Sequence, residues 1–478
     1  MIYRDSSHYV NLALPKGNLQ EPVSILLREA GMGIDGYSKD SRLYHLKSHL
    51  FSNLSAKIFQ EKDIPIQIAI GNYDIGICGS DWVEELLAKY PQSKLIKLTD
   101  LGFMPHHLSL ASSIKGGIRE TADLYKLGNS ISIASEYPNL CEQTAVNMRL
   151  RRFKIFPVWG AAEYYPPENA DLVLIKTADK DDLNFLGLVQ LRRILTSNAF
   201  VIVNKESLQS KNLQPVLSRL NKALPKLKKY WSPLKTKLQK GANGKDIKLA
   251  EDDIRLALPD GHQCSPTSNY FMQCGLHFNG YSVSNLKRRP AAEVDWLKIK
   301  VIRPQDMPMQ VANYNFDLAI TGQDWFLDHM CRFPSSPIVK ILDLNFGVVK
   351  IVAVVSDQLP VKDTGELKSL VDKGDLTPLR VASEYTNIAD YYLRNNHIKN
   401  YQIIPTWGAT EALIPEDADL LIENTETGKT LAAHKLKIIH TLFHSSACMI
   451  ANKNGLKNKG KKARIAKLLD QLKKGYEI

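Results

Sequence analysis

The chain has 478 residues, of which 44% are hydrophobic and 23% are charged, and its formal net charge is +12. These values are ordinary for globular proteins and exclude the disordered, collagen-like and coiled-coil classes. No run of 18 apolar residues is present, and Arg4, Asp5 and His8 interrupt the N-terminus where a signal peptide would be apolar. The six cysteines form no CxxC pair. We therefore expect a cytoplasmic protein without a membrane span.

Short apolar runs and helical stretches alternate along the chain. The runs VNLALP, IQIAI, DIGICG, ISIAS and DLVLI have the length of buried strands and end at Gly, Pro or Ser. Helical stretches such as EPVSILLREAG and DWVEELLAKY lie between them. This alternation predicts an α/β protein whose sheets are covered on both faces and whose ligands bind at the carboxyl ends of the strands.

The positive charge is concentrated in two segments. Residues 221–250 contain nine Lys and one Asp, and residues 451–478 contain eight Lys and one Arg against one Asp and one Glu. Two basic segments on a nearly neutral body are typical of solvated helices, so we expect no nucleic-acid partner. In the second segment, Ile465, Leu468, Leu469 and Leu472 form an apolar stripe. This stripe predicts an amphipathic helix that packs on its own domain or on a partner subunit.

The same motifs occur twice in the same order. Residues 155–172 match residues 403–420 without a gap at 11 of 18 positions, and LALPKG and DIGICGSDW return later as LALPDG and DLAITGQDW. A repeat of about 220 residues is too long for a solenoid and indicates a tandem duplication. Between the copies lie lysines, two prolines and a GANG turn signal. We therefore predict a first repeat at 1–220, a basic linker at 221–250 and a second repeat at 251–478.

One loop of the second repeat has the residues of a phosphate-binding turn. The apolar run from Asp419 to Glu423 leads into residues 424–430, NTETGKT. Gly428 allows the backbone to turn, and the following amides, the Thr hydroxyls and the start of the next helix can donate hydrogen bonds to an anion. A carboxylate such as Glu423 or Glu426 can hold Mg²⁺ or ribose hydroxyls beside that anion. A plain capped turn explains the same residues equally well at this level.

The first repeat lacks this loop but keeps other groups. Its aligned segment, residues 177–183 (TADKDDL), has Lys180 in place of the glycine and three Asp. Like charges repel an anion and no glycine remains for the turn, so we expect phosphate binding to be lost there. Conversely, Lys16 of LALPKG becomes Asp260 of LALPDG. The first repeat therefore lacks the glycine of the turn, and the second repeat lacks the lysine.

The ordered motifs resemble the short form of the ATP phosphoribosyltransferase family. They are LALPKG, the Asp-Ile-Gly-Ile-x-Gly-x-Asp run, SEYPN, the Gly-x-x-Glu run before a proline, and Glu-Thr-Gly-x-Thr-Leu. The resemblance spans nearly all of each repeat, apart from the linker and the basic tail. The chain departs from the family pattern at Asn18 and His262, where the family usually has Arg, and at Glu423, where it usually has Asp.

The resemblance implies a fold, a reaction and a site. The fold is two tandem two-lobed units like type II periplasmic binding proteins. The reaction is the first step of histidine biosynthesis, in which N1 of ATP displaces pyrophosphate from C1 of phosphoribosyl pyrophosphate, with Mg²⁺ as the cofactor. The implied phosphoribosyl pyrophosphate site consists of Asp419, Glu423, Glu426, Thr427, Gly428, Lys429 and Thr430, with Glu423 also as the metal ligand. Weaker candidates for lining the cleft are Lys16, Arg303, Gly322, Asp324 and Glu411.

The duplication suggests how one site could be assembled. Because the active sites of the resembled family lie near a subunit interface, we hypothesise that the repeats imitate a dimer with one working site. The second repeat would contribute the phosphate loop, and the first would contribute Lys16, although a surface lysine after a strand explains Lys16 equally well. A homo-oligomer and a regulatory subunit both stay open as partners. The alternative function is a catalytically silent nucleotide-binding or regulatory protein that keeps the cleft and not the reaction.

Overall fold

The structure is a computed structural model that describes residues 9–38, 45–227, 250–408 and 410–473. These residues form four β-sheets, two in each repeat. Most of the predicted linker lies outside the described residues, which include only 221–227 and 250 of it. None of the helices in the described ranges is long and apolar enough to cross a membrane.

The first repeat forms two lobes. Its described strands are β1 (Val10–Pro15), β2 (His45–Lys47), β3 (Leu54–Phe59), β4 (Ile75–Gly79), β5 (Leu95–Asp100), β6 (His106–Ser113), β7 (Ile131–Ser135), β8 (Phe153–Pro157), β9 (Leu172–Thr177), β10 (Leu188–Ser197) and β11 (Ala199–Asn204). Its described α-helices are α1 (Gln20–Glu29), α2 (Ile64–Ala69), α3 (Ser80–Lys89), α4 (Thr121–Lys126), α5 (Pro138–Asn147), α6 (Lys180–Phe185), α7 (Lys205–Ser210) and α8 (Gln214–Leu227). Lobe 1A is the sheet β2-β3-β1-β4-β11-β5, and lobe 1B is the sheet β10-β6-β9-β7-β8.

The second repeat has the same plan with one additional strand. Its described strands are β12 (Ile254–Pro259), β13 (Phe278–Tyr281), β14 (Leu286–Ala292), β15 (Leu297–Ile302), β16 (Leu318–Gly322), β17 (Ile338–Asp343), β18 (Val349–Ser356), β19 (Leu379–Ser383), β20 (Tyr401–Pro405), β21 (Leu420–Thr425), β22 (Leu436–Ser445) and β23 (Ala447–Asn452). Its described α-helices are α9 (Cys264–Gln273), α10 (Met307–Ala312), α11 (Gln323–Arg332), α12 (Thr364–Lys373), α13 (Thr386–Asn395), α14 (Lys429–Ala433), α15 (Lys453–Lys457) and α16 (Lys459–Lys473). Lobe 2A is the sheet β13-β14-β15-β12-β16-β23-β17, and lobe 2B is the sheet β20-β19-β21-β18-β22.

The strands follow from the apolar runs of the sequence. In β1, Leu12, Ala13 and Leu14 are all fully buried, because helices or the other repeat cover both faces of the sheet. The central pairs β1–β3 and β1–β4 are parallel, and β11 runs antiparallel to β4 and β5 as the chain returns to lobe 1A. The predicted fold class, tandem two-lobed α/β units, is confirmed.

Helix boundaries follow from capping side chains. In α12, the carboxylate of Asp363 accepts a hydrogen bond from the Glu366 amide, and Gly374 ends the helix at a φ of +86°. Asn204 and Asn452, at the same position of the two repeats, cap α7 and α15 with their side-chain oxygens. The helix that follows the last strand of each repeat is therefore capped by the same residue type in both copies.

The apolar packing between the repeats has an approximate two-fold arrangement. Lobe 1A packs against lobe 2B in one core, where Ile64 and Ile68 of α2 join Leu413 and Leu421. Lobe 1B packs against lobe 2A in a second core, which contains α10, the counterpart of α2. Equivalent elements thus make both contacts, as in an isologous dimer.

Polar pairs across the interface repeat the same relation. Lys57 donates to Asp417 Oδ2 at 2.5 Å. Its counterpart Lys300 donates to Asn169 Oδ1 at 2.5 Å and to Glu168 Oε2 at 3.2 Å. Lys57 and Asp417 are each only 2% exposed, so this ion pair is buried in the interface between the repeats.

The C-terminal helix α16 packs on its own repeat. Ile465, Leu468 and Leu472 are buried in the core of lobe 2A, and Leu469 packs against that core. The predicted amphipathic helix is confirmed, and its partner is the same repeat.

Candidate active site

A cavity of about 710 Å³ lies between lobes 2A and 2B. Its walls come from the carboxyl ends of five strands, with Asp260 after β12, Arg303 after β15, Gly322 at the end of β16, Glu384 after β19 and Thr427 after β21. The carboxyl ends of the central strands meet at one edge of an α/β sheet, so polar side chains distant in sequence collect there. The cavity has the size of small-molecule sites.

The cavity collects most of the residues predicted from the sequence. Those that line it are Arg303, Gly322, Asp324, Glu411, Glu423, Glu426, Thr427 and Thr430. Gly428 and Lys429 belong to the same turn but do not line the cavity wall. Lys16 and Asp419 lie elsewhere.

Threonine side chains of the turn at residues 425–430 accept hydrogen bonds from its backbone amides. Gly428 has a φ of +74°, in the left-handed region that favours glycine, and is followed by α14. The Gly428 amide donates to Thr425 Oγ1 at 2.9 Å, and the Lys429 amide donates to Thr427 Oγ1 at 3.4 Å. Because the Thr427 hydroxyl accepts from an amide, its own proton is still available to an anion in the cavity. Thr430 adds a second hydroxyl to the same wall.

Two carboxyl groups of the cavity hold their protons unusually tightly. Burial raises the pKa of Glu423 to about 8, although Thr410 Oγ1 and the Asn424 amide donate hydrogen bonds to its carboxylate. Burial also raises the pKa of Glu384 to about 7, and the charge of Lys62 opposes that increase. Both pKa values lie close to neutral pH, so a cation that binds beside either carboxyl group would shift that group to its ionised form.

A chain of hydrogen bonds fixes the back wall. Tyr385 Oη donates to Asp324 Oδ2 at 2.8 Å, and Asn424 Nδ2 donates to Tyr385 Oη at 3.0 Å. The Trp325 amide donates to the other oxygen, Asp324 Oδ1, at 2.9 Å. This network ties α11 in lobe 2A to β21 in lobe 2B across the floor of the cleft.

Gly322 leaves the space that Asp324 needs. A Cβ atom at position 322 would overlap Asp324 Oδ1. We expect Gly322→Ala to displace this carboxylate and to lower the free energy of unfolding by about 1–3 kcal/mol, as overpacking does. Thermal denaturation measures the effect. The control is Gly117→Ala, because a Cβ there meets no atom within 4 Å; equal melting temperatures for the two variants would contradict the prediction.

Two of the predicted site residues need correction. Asp419 does not lie near a ribose or metal position in this cavity, because its carboxylate accepts three hydrogen bonds from Arg380, at 2.9 and 3.3 Å from N and Nε and at 2.8 Å from Nη2. Lys16 lines the cleft of the first repeat and a narrow gap between the repeats, and not the cavity that holds the phosphate loop. The structure therefore does not place Lys16 in that cavity, and a site shared between the repeats stays a hypothesis.

In the equivalent loop of the first repeat, aspartate side chains accept hydrogen bonds from the backbone amides of the same loop. Asp179 Oδ1 accepts from the amides of Asp181 and Asp182 at 2.8 and 3.1 Å, and Asp182 Oδ2 accepts from the Ala178 amide at 2.7 Å. These carboxylates occupy the donors that an anion would use. The acidic residues of this loop therefore cap α6.

Sequence reasoning missed three residues of the site. Glu384, Tyr385 and Asn424 all line the cavity. Glu384 and Tyr385 belong to an SEY motif that occurs in both repeats. This motif indicates a site residue, since a Glu directly after a predicted strand lies at the edge of the sheet where ligands bind. No sequence pattern marked Asn424, whose counterpart in the first repeat is Lys176.

Comparisons with known proteins show which family each repeat resembles. A family model described as ATP phosphoribosyltransferase matches residues 60–222 and 303–474, one segment in each repeat. The ATP phosphoribosyltransferases of Chlorobaculum parvum and Prosthecochloris aestuarii are similar to this chain, at 33% and 32% identity over 212 residues. Each alignment covers 44% of this chain and 68% of the relative, which is about the length of one repeat.

Solved structures with similar folds also cover about one repeat. The ATP phosphoribosyl transferase (HisG:HisZ) complex from Thermotoga maritima is 19% identical, with a TM-score of 0.38 over 47% of this chain and 98% of that chain. The alkanesulfonate-binding protein SsuA from Xanthomonas axonopodis pv. citri is 14% identical, with a TM-score of 0.32 over 47% of this chain and 75% of that chain.

Proposed function

The chain belongs to the ATP phosphoribosyltransferase family, whose unit it contains twice in tandem, and from this we propose that its second repeat catalyses that family's reaction. In this reaction N1 of the ATP adenine forms a bond to C1 of phosphoribosyl pyrophosphate, and the bond from C1 to the pyrophosphate oxygen breaks. The products are phosphoribosyl-ATP and pyrophosphate. As the first step of histidine biosynthesis, the reaction fits the cytoplasmic location expected from the cysteines.

One observation carries the proposal. The turn that ends β21 brings Thr427 and Thr430 to the carboxyl edge of lobe 2B, inside a cavity of suitable size. Their hydroxyls are the donors that we assign to the 5′-phosphate, and Gly428 and Lys429 shape the turn. The same turn in the first repeat is capped by Asp179 and Asp182, so we assign a single reacting site per chain.

The charges of the cavity suit the transition state. As pyrophosphate leaves, the ribose becomes cationic, and carboxylates of Glu384, Glu411 and Glu423 near the sugar stabilise that charge. Arg303 is the cationic side chain on the opposite wall, and we assign it to the leaving pyrophosphate. No side chain needs to act as a nucleophile, because N1 of the purine already has a lone pair. The protein's contribution is positioning and electrostatic stabilisation.

Mg²⁺ fits this group of residues. We assign it to Glu423, whose carboxylate oxygens are of the kind that Mg²⁺ prefers and which lines the cavity beside the turn. Among the residues that the structure describes, no cluster of three or more His, Cys, Asp and Glu side chains could hold a metal alone. Substrate phosphates would therefore supply further ligands, as is common for Mg²⁺. When bound, the ion would neutralise charge on the pyrophosphate.

The decisive assay is pyrophosphate release from ATP and phosphoribosyl pyrophosphate. We expect release only when both substrates and Mg²⁺ are present, and a loss of release in EDTA. A folded protein that releases no pyrophosphate under these conditions would instead support the alternative, a silent nucleotide-binding or regulatory member of the family. A heat-denatured sample controls for spontaneous hydrolysis of the substrate.

A further inference from the structure

The cleft of the first repeat is a second cavity of about 670 Å³. Its charge is opposite to that of the cavity in the second repeat. Among the residues that the structure describes, five cationic side chains line the first cleft against three carboxyl groups, whereas six carboxyl groups line the second cleft against one arginine, Arg303. The cations of the first cleft are Lys16, Lys62, Lys176, Arg288 and Arg303, and its acids are Glu61, Glu136 and Glu163.

Two of these cations come from the second repeat. Arg288 and Arg303 are both oriented by Asp260, which accepts from Arg288 Nη1 at 2.8 Å and from Arg303 Nη1 at 3.4 Å. Arg288 also lies over the ring of Tyr164, with 5.4 Å from its guanidinium carbon to the ring centroid. The first cleft is therefore completed across the repeat interface.

Lys62 and Lys176 come from the first repeat and pack against residues of both repeats. Lys62 Nζ lies 4.7 Å from the ring centroid of Trp407 and 5.6 Å from that of Trp159. Lys176 Nζ lies 3.6 Å from Asp81 Oδ2. Both lysines are packed into defined positions, so little side-chain entropy is lost when an anion binds between them.

Carboxylates balance part of the positive charge of this cleft, because Asp81 lies 3.6 Å from Lys176 and Asp260 accepts from Arg288 and Arg303, and burial lowers the pKa of Lys62. The three glutamates balance it less. Burial raises the pKa of Glu61, Glu136 and Glu163, so these groups give up their negative charge more readily than exposed glutamates. In addition, Ile175 stands where the second repeat has the proposed metal ligand Glu423. The first cleft therefore combines a cationic wall with the loss of the metal carboxylate.

We propose that the first cleft binds the di- or triphosphate chain of a small molecule without a metal ion, through Lys62, Lys176 and Arg288. Nucleotides and free pyrophosphate share this chemistry. Trp82, stacked on Tyr137 at 4.3 Å between ring centroids, lines the same cavity and offers an aromatic surface to a base. No transfer reaction is assigned to this site, because its phosphate loop is capped by its own aspartates.

Isothermal titration calorimetry of the full chain in EDTA tests this site, with pyrophosphate and ATP as separate probes. In EDTA the second cleft lacks its assigned Mg²⁺, so we expect one pyrophosphate per chain. ATP is also the proposed substrate of the second repeat, so only the ATP site that the double variant described next weakens is assigned to the first cleft. The double variant Lys62→Gln, Lys176→Asn carries the residues of the second repeat at these positions, Gln305 and Asn424, and should therefore fold. Its affinity should fall about tenfold or more, because two charge-assisted contacts are lost.

Two controls locate the binding. Lys154→Gln, which removes an exposed lysine of β8, should leave the affinity in EDTA unchanged. Thr427→Asp, which places a carboxylate in the loop of the second repeat, shows whether that loop takes part in the binding. No binding of either probe by the wild-type chain would overturn the proposal, as would binding that Thr427→Asp abolishes and the double variant retains. This outcome is independent of the proposed function, since a chain that binds pyrophosphate in EDTA can still fail to release it from substrates.

Discussion

Thr427→Asp is expected to reduce pyrophosphate release by about two to three orders of magnitude, or to below detection, while the chain stays folded. The substitution removes a hydroxyl donor from the turn and places a carboxylate where the 5′-phosphate is assigned. The fold should survive, because Asp179 at the equivalent position of the first repeat accepts hydrogen bonds from the amides at the start of α6. An aspartate at position 427 can cap α14 in the same way. Initial rates and circular dichroism measure the two effects.

The reciprocal variant is the matched control. Asp179→Thr gives the first repeat the residue of the second and keeps a side chain that can cap a helix. It should leave pyrophosphate release within about twofold of the wild type, because the first repeat is assigned no reaction. Equal losses in the two variants would contradict the assignment of the reacting site to the second repeat alone. Unchanged release in Thr427→Asp would show that the turn does not hold the phosphate.

Asp417→Leu is expected to lower the free energy of unfolding by about 3–5 kcal/mol, because it leaves the ammonium of Lys57 buried without its partner. Lys57 donates to Asp417 at 2.5 Å between lobes 1A and 2B, and Tyr73 Oη also lies 3.4 Å from the same carboxylate oxygen. The neighbouring Glu416 is 4.0 Å from Lys57 and mostly exposed, so it compensates little. The midpoint of urea denaturation measures the loss.

Two further variants separate charge burial from packing. Asp417→Asn should cost much less than Asp417→Leu, because Asn169 accepts from Lys300 at the equivalent position of the interface. The double variant Lys57→Met, Asp417→Leu should recover most of the stability, since a buried ion pair can be replaced by apolar side chains at little cost. A denaturation midpoint for Asp417→Leu that equals the wild-type midpoint would mean that water reaches Lys57 in solution.

The fold follows from the sequence because its signals are local and occur twice. Buried strands of five or six residues read as continuous apolar runs, and the duplicated motifs place them in the same order in each repeat. The position of the phosphate loop also follows, since a turn after a central strand must lie at the ligand edge. The stripe of α16 predicts its buried face for the same reason.

The errors concern information that the local pattern does not contain. Asp419 and Glu423 both flank an apolar run, yet four residues of extended strand separate them by about 13 Å, so Asp419 lies at the amino end of β21 and Glu423 nearer its carboxyl end. Which cleft receives Lys16 or Arg303 depends on how the repeats pack, and no short motif encodes this. The raised pKa values of Glu384 and Glu423 arise from burial in the folded cleft, which composition does not reveal.

The approximate two-fold packing inside a single chain has a consequence for how such a protein can change. In a symmetric homodimer every substitution appears on both sides of the axis at once, so a residue that suits one side is imposed on the other. Covalent fusion removes this constraint. Position 16 can keep a lysine while its image, position 260, becomes an aspartate that orients two arginines toward the neighbouring cleft. A gene duplication joined end to end thus allows two clefts of one ancestry to acquire opposite charge without losing their shared interface.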